Sequence, residues 1–220
     1  VAPSVPLPPA MVVGEGASPM NHTVIRILNQ YGICETQFLA YPPDVMGGVQ
    51  VAALQFADGQ TGFATAPIND ANINEIRVFS RYGNLTSAFI INNSLNEPYA
   101  ITTGNFDKTQ AGDEIALTSH FPNSNLGRLF IYSPACNRLK EIEINVTAGD
   151  EASLSTRREA TGDLVLFYQK GVTFYQQINP ETGVIEIITI NNEVDYSGIY
   201  PSAFGDDSLV ATVNEDLLSH

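Results

Sequence analysis

Between residues 104 and 117 the chain reads GNFDKTQAGDEIAL, in which short oxygen-bearing side chains lie between two apolar stretches. Oxygen atoms of this kind are the ligands that a hard cation such as Ca²⁺ binds in proteins. The same residue types also build tight turns, because Asn, Asp and Gly tolerate positive φ and bond to their own backbone. The residue types therefore allow two interpretations, a cation loop or a turn between two strands.

Other residues that could do chemistry are scattered along the chain. The three histidines, His22, His120 and His220, lie far apart, and no His-x-x-x-His or Cys-x-x-Cys pair offers the start of a zinc site. No Gly-x-Ser-x-Gly elbow or phosphate-binding Gly-x-x-x-x-Gly-Lys loop occurs. Without these motifs, the usual hydrolase and nucleotide-binding interpretations lose their support.

Adjacent acidic residues are the remaining catalytic candidates. Such pairs occur at Asp113/Glu114, Asp150/Glu151, Asp206/Asp207 and Glu215/Asp216. A glycosidase needs two carboxylates that face each other across a cleft. All of these pairs lie in predicted turns, where neighbouring acids point into water, so we predict that the chain is not an enzyme.

Charge and composition argue against nucleic acid and membranes as partners and favour an extracellular location. The chain has 24 acidic and 10 basic residues, for a formal net charge of -14, so it lacks the basic face that nucleic acid or an anionic membrane would need. No stretch approaches the roughly 20 apolar residues that a membrane-spanning helix requires. Four glycosylation sequons, at Asn21, Asn84, Asn92 and Asn145, together with low Lys content favour a secreted or cell-surface protein.

Strand signals dominate the chain and repeat. Four segments, 24–41, 75–91, 128–144 and 172–190, each read as an apolar strand, a polar turn and a second apolar strand. Another strand, loop and strand follows each of them. A period of about 40 to 50 residues with four strands per unit is typical of a β-propeller. The sequence therefore predicts an all-β fold built from four-stranded blades.

The first and last segments predict how such a ring closes. The series begins with the second half of a blade and ends with the first half, around residues 197–214, so N- and C-terminal strands would pair and complete four blades. The alternatives are a section of a larger propeller and a two-sheet sandwich. We assign residues 1–20 to an extended Pro-rich leader and residues 21–220 to the repeat domain.

Residues 38–89 resemble the FG-GAP or VCBS-type repeat of bacterial secreted and surface proteins. The matching elements of this run are Tyr41-Pro42, Gly47-Gly48-Val49, Ile76-Arg77-Val78-Phe79 and Gly83-Asn84-Leu85. The next unit supplies Gly104-Asn105-Phe106-Asp107 and Glu114-Ile115-Ala116-Leu117. This resemblance implies a β-propeller of repeated blades. It implies little about activity, because the repeat carries adhesion, sugar binding, lyase chemistry and plain structural roles.

The resemblance also implies a place for calcium. In the family, oxygen ligands at alternate positions of the first loop of a blade bind the ion. Here Asn105, Asp107 and Thr109 fall at the alternate positions, and Asp113 or Glu114 stands where the closing carboxylate belongs. The loop departs from the family in lacking the turn glycine and in carrying one extra residue. The corresponding loops at 55–63, 157–164 and 203–209 have fewer suitable ligands.

These observations lead to one functional expectation with alternatives. We expect a non-enzymatic extracellular module for structural assembly or for protein or glycan interaction, with self-association through the N-terminal arm. The alternatives are a polysaccharide-processing enzyme or a calcium-dependent lectin built on the same repeat. Cys34 and Cys136 fall in equivalent turns of separate blades, too far apart for the roughly 4.4 to 6.8 Å between Cα atoms that a disulfide needs.

Overall fold

The computed structural model describes residues 10–68, 75–91, 100–120, 125–146, 152–169, 174–189, 204–205 and 208–212. These residues form strands and loops, and none of them is in a helix. The all-β prediction is therefore confirmed. The acidic pairs Asp150/Glu151, Asp206/Asp207 and Glu215/Asp216 lie outside the described residues, as do the first nine residues of the predicted leader.

Three of the sheets are antiparallel and have four strands each, in chain order. The second sheet contains β4 (Val49–Gln55), β5 (Thr61–Pro67), β6 (Glu75–Ser80) and β7 (Leu85–Ile90). The third contains β8 (Ala100–Gly104), β9 (Glu114–His120), β10 (Leu126–Tyr132) and β11 (Arg138–Asn145). The fourth contains β12 (Ala152–Arg157), β13 (Leu164–Gln169), β14 (Phe174–Ile178) and β15 (Ile185–Thr189).

The first sheet combines both ends of the chain. It contains β1 (Ala10–Gly14), β2 (Val24–Asn29), β3 (Cys34–Leu39), β16 (Phe204–Gly205) and β17 (Ser208–Thr212), in the order β16-β17-β1-β2-β3. β1 pairs in parallel with β17 and antiparallel with β2. Residues 10–14, which we expected in the extended leader, thus supply a strand. This sheet has five strands where the sequence predicted four, because β1 lies between β17 and β2.

The sheets pack face to face in chain order. β4 packs against β17 and β1, β8 packs against β4 and β5, and β12 packs against β8. Three separate clusters of buried side chains fill the three junctions between consecutive sheets. Each of the two middle sheets therefore buries both faces along its first two strands. This explains why β5 and β8 read as nearly continuous runs of apolar residues and threonine rather than as alternating patterns.

In the second, third and fourth sheets, the last strand is more exposed than the first. In the third sheet, for example, five of the eight residues of β11 are exposed, whereas all five residues of β8 are buried. We call β4, β8, β12 and β17 the inner strands, because they contact one another across the junctions. We call β3, β7, β11 and β15 the outer strands. Each is the last strand at the other edge of its sheet.

Three of the four turns that lead into the outer strands share one geometry. The amides of Gly32, Gly83 and Cys136 each donate to the carbonyl three residues earlier at 2.9 Å. All three residues have positive φ, which glycine adopts freely, but Cys136 at 71° is not a glycine. A β-bulge next to each turn keeps the three hairpins in the same register. Cys34 and Cys136 are both free thiols, as predicted.

Candidate functional site

The candidate site lies in the loops that join each inner strand to its neighbour. We call these the inner loops, at residues 56–60, 105–113 and 158–163. The hydroxyl of Thr103 donates to the carbonyl of Ala53, and the hydroxyl of Thr156 donates to the carbonyl of Thr103 at 2.8 Å. These bonds set β4, β8 and β12 in equivalent register, so that Gln55, two residues beyond Ala53, corresponds to Asn105.

Glu114 is buried at the base of the second inner loop. It begins β9 and is only 2% exposed. One of its oxygens, Oε2, accepts the amide N–H of Phe106 at 2.7 Å and that of Asp107 at 3.0 Å. Burial raises the pKa of Glu114 to about 7, against the lowering effect of these two hydrogen bonds. Its carboxyl group thus fixes the start of the loop.

Asp107 and Thr109 bond to each other within the loop. The Oδ1 of Asp107 accepts the amide of Thr109 at 2.9 Å and the hydroxyl of Thr109 at 2.6 Å. The side-chain amide of Gln110 donates to Oδ2 at 3.3 Å. The bonds from Thr109 hold the pKa of Asp107 below its usual value. This arrangement is an Asx turn, which needs no ion to close it.

Asp113 is directed at the preceding sheet. Its Oδ2 accepts the amide of Gln55, at the end of β4, at 2.7 Å. In return, the amide of Asp113 donates to the carbonyl of Gln55 at 2.7 Å. Burial raises the pKa of Asp113 although the bond from Gln55 lowers it. We call this reciprocal pair of hydrogen bonds a clip, because it joins two consecutive sheets.

A second clip joins the third sheet to the fourth. The Oδ2 of Asp163 accepts the amide of Asn105 at 2.9 Å, and the amide of Asp163 donates to the carbonyl of Asn105 at 3.0 Å. Asp163 is 8% exposed, and its Oδ1 accepts the amide of Glu159 at 3.3 Å. The sequence carries a signal for this role, although none of the motifs considered above includes Asp163. Asp113 and Asp163 are each the last residue before the second strand of their sheets.

The three carboxylates among the five residues predicted from the resemblance already accept hydrogen bonds within the protein. The Oδ2 of Asp113 is used by β4, and the Oε2 of Glu114 by two backbone amides. The Oδ1 of Asn105 is buried without a hydrogen-bond partner, which is the only feature here that would suit an absent ion. Across the described ranges, no three His, Cys, Asp or Glu residues are grouped so as to hold a metal. Calcium binding at this loop remains a prediction that these contacts do not favour.

Glu114 also meets one requirement of a catalytic acid, since a general acid needs a raised pKa. Its side chain is nevertheless buried, and its Oε2 is occupied by the loop backbone. A substrate would have to displace these contacts. The contacts of Glu114 therefore fit a structural role better than proton transfer.

Aromatic residues divide between the core and the surface. Phe106 is buried in the cluster between the third and fourth sheets, and Tyr132 stacks against Phe89 with ring centroids 4.5 Å apart. Tyr31 and Tyr82 lie at equivalent positions of the turns before β3 and β7 and are 77% and 61% exposed. The turn tyrosines are thus available to a partner, whereas Phe89, Phe106 and Tyr132 pack sheets together.

Tyr41 lies at the first junction, in the connection from β3 to β4. It is 2% exposed, and its hydroxyl lies 2.9 Å from the carbonyls of both Thr65 and Glu75. The guanidinium of Arg77 lies 4.9 Å from the centre of its ring and donates to the carbonyl of Ala40 at 2.7 Å. Burial raises the pKa of Tyr41 well above its usual value. This network fixes the connection in place.

The part of the chain that the structure describes contains no helix long and apolar enough to cross a bilayer.

No family model matches the chain, and no curated protein matches it. The resemblance to the FG-GAP or VCBS-type repeat therefore rests on the residues quoted for it.

Proposed function

We propose that this chain is a non-enzymatic interaction module, which binds protein or glycan partners through its outer hairpins. The observation that carries the proposal is the position of the exposed large apolar side chains. With the exception of Met20, those found in the described residues lie on the hairpins that contain the outer strands: Tyr31, Ile33, Leu39, Tyr82, Leu85, Ile90, Leu126, Leu139, Val184 and Ile187. Exposed apolar groups that lie together on a hairpin favour partner binding.

The inner loops support the same proposal. Their acidic side chains are engaged in clips and turns, which stabilise the stack of sheets. Charged groups that are used in this way contribute little to substrate binding. The module is therefore proposed to act through shape and surface contacts rather than through chemistry at these loops.

A closed four-bladed propeller is part of the proposal. Two half-buried apolar faces lie at the ends of the stack, and a fourth junction would bring them together. One face carries Leu166 and Tyr168 on the fourth sheet, and the other carries Met11, Val13 and Leu28 on the first. Burial of both faces would remove the open ends that favour aggregation.

A secreted or cell-surface location also belongs to the proposal. It is supported by the acidic composition and by the sequons. Among these, Asn84 lies exposed in the turn before β7. Calcium dependence is not part of the proposal, because the contacts of the second inner loop are complete without an ion except at Asn105.

Two assays on one sample test the proposed function. The first incubates the protein with neutral and acidic polysaccharides and measures new reducing ends and unsaturated products. The second measures binding of the immobilised protein to a glycan array and to extracellular matrix proteins. We expect binding that weakens when Tyr31 and Tyr82 are changed to Ser, and no product. Product formation that is lost in Glu114→Gln would contradict the proposal and favour an enzyme.

A further inference from the structure

The four outer strands differ in how well they are protected against pairing with another strand. Each is the last strand of its sheet in the described part of the chain, so one side of its backbone has no neighbouring strand there. Exposed edges of this kind are templates for pairing with a further strand, and proteins usually protect them with charged side chains. Charge content therefore indicates which edge is open to a partner.

β7 is the outer strand without a charged residue. Its sequence is LTSAFI, whereas β3 carries Glu35 and β15 carries Glu186. β11, in the next sheet, has four charged residues in the sequence RLKEIEIN. Of the four edges, β7 thus has the least protection against pairing.

The register shows that this difference lies at equivalent positions. Ala88 lies opposite Arg77 of β6 just as Glu141 lies opposite Phe130 of β10. Two residues further on, Ile90 of β7 corresponds to Glu143 of β11. The fold therefore accepts acidic residues at both positions, and β7 has apolar residues there instead.

One face of β7 is open. On the other face, Phe89 is buried and the hydroxyl of Ser87 donates to the carbonyl of Pro134 in the turn before β11. On the open face, Thr86 and Ala88 are exposed, and Ile90 is 75% exposed. The next sheet thus covers one side of the strand, while the other side and the free edge face solvent.

We propose that the free edge of β7 binds β7 of a second copy of this chain, antiparallel, to form one continuous sheet. A two-fold axis through Ala88 would place this small residue opposite itself and Ile90 opposite Thr86 of the other copy. Both pairs lie on the same face, as antiparallel pairing requires. The inference deepens the proposed function, on which it rests, by naming one surface and its partner.

Electrostatics limits close contact between two copies to an edge such as this one. Each chain carries a net charge of -14, so two copies repel each other and can approach closely only where acidic groups are absent or neutralised. On β6, the strand behind β7, Glu75 is already paired with Arg77 at 2.8 Å. The edge therefore brings no unpaired acid of β6 or β7 to the contact. Edge pairing at β3 would instead place Glu35 close to its own copy.

Sedimentation equilibrium of the whole chain tests this inference. A single strand pair is a small interface, so we expect a reversible dimer with a dissociation constant in the range of about 1 to 100 μM. The test variant is Ala88→Glu/Ile90→Glu, which introduces the acids that β11 carries at the two positions. Its matched control is Gln37→Glu/Leu39→Glu, which makes the same change at the equivalent positions of β3.

The expected result is a dimer for the natural sequence and for the β3 control, and a dissociation constant at least tenfold higher for the β7 variant. Thermal melts confirm that the variants are folded, and Ile90→Glu alone replaces the double variant if that one fails to fold. A natural sequence that stays monomeric, a β7 variant that dimerises normally, or a β3 control that dissociates would each overturn the inference. Any of these three results leaves the proposed function intact if protein or glycan partners still bind. Formation of product from polysaccharide would contradict the proposed function but not the pairing of β7 with its copy.

Discussion

Replacing Asp163 by Ala should measure how much one clip contributes to stability. The side chain accepts the amides of Asn105 at 2.9 Å and Glu159 at 3.3 Å and is 8% exposed. A hydrogen bond to a charged group contributes about 1.5 to 3 kcal/mol, and the longer bond contributes less. We expect Asp163→Ala to lower the free energy of unfolding by about 2 to 3 kcal/mol.

The expected loss can be measured by urea denaturation and by thermal melting. For a domain of this size, about 1 kcal/mol corresponds to roughly 2 to 4 °C, so the melting temperature should fall by roughly 5 to 10 °C. Asp163→Asn keeps the shape but places an NH₂ group or a neutral oxygen against the amides, so it should lose about half as much.

Asp58→Ala is the control for this experiment. Asp58 also lies in an inner loop, but it is exposed and bonds only to Gln60 of the same loop, at 2.9 Å. Its replacement should change the free energy of unfolding by less than about 0.5 kcal/mol. Equal effects of Asp58→Ala and Asp163→Ala would refute the reasoning, because the second residue would then contribute nothing by joining two sheets.

Three further predictions concern the same sheets and loops. Since burial raises the pKa of Glu114 from 4.5 to about 7, its stabilising contribution is complete below about pH 4.5 and is lost as the pH rises to 7. The free energy of unfolding, measured by urea denaturation, should therefore fall by up to roughly 3 kcal/mol between these pH values, and Glu114→Gln should remove this fall. A variant whose stability depends on pH as the natural sequence does would contradict the assignment. Gly83→Ala should destabilise the protein by at least about 1 kcal/mol more than Gly32→Ala, because both have positive φ but only at Gly83 would the new Cβ lie 2.7 Å from the ring of Phe38. The melting temperature should be the same in calcium as in chelator. A calcium site would instead add about 2.7 kcal/mol of stability at a calcium concentration 100 times its dissociation constant.

The all-β fold and its hairpins could be predicted from the sequence because their signals are local. Apolar runs separated by Gly, Asn and Pro define the strands, and the hairpins predicted at 24–41, 75–91, 128–144 and 172–190 correspond to the last two strands of the four sheets. The position of β1 could not be predicted in this way. Ala10–Gly14 is a short strand beside a Pro-rich segment, and its pairing with β17 and β2 defines it.

The sequence predicted where in the chain the candidate loop lies, but not which groups its side chains contact. The sequence identified the loop from Asn105 to Glu114 by its oxygen-bearing residues. It could not show that Asp113 bonds to β4, because the partner, Gln55, lies 58 positions earlier in the chain. For the same reason Asp163 was missed, since its partner belongs to the preceding sheet. Composition indicates which residues can accept a hydrogen bond, but only packing decides which donor they meet.

Amide hydrogen exchange at Gln55 and Asn105 tests the central claim, that acidic residues of the inner loops join consecutive sheets. Gln55 is exposed, so protection of its amide would come from the clip to Asp113. We predict that both amides are protected, that Asp113→Ala exposes Gln55 alone, and that Asp163→Ala exposes Asn105 alone. Fast exchange at both amides in the natural sequence, or protection that appears only when calcium is added, would contradict the account.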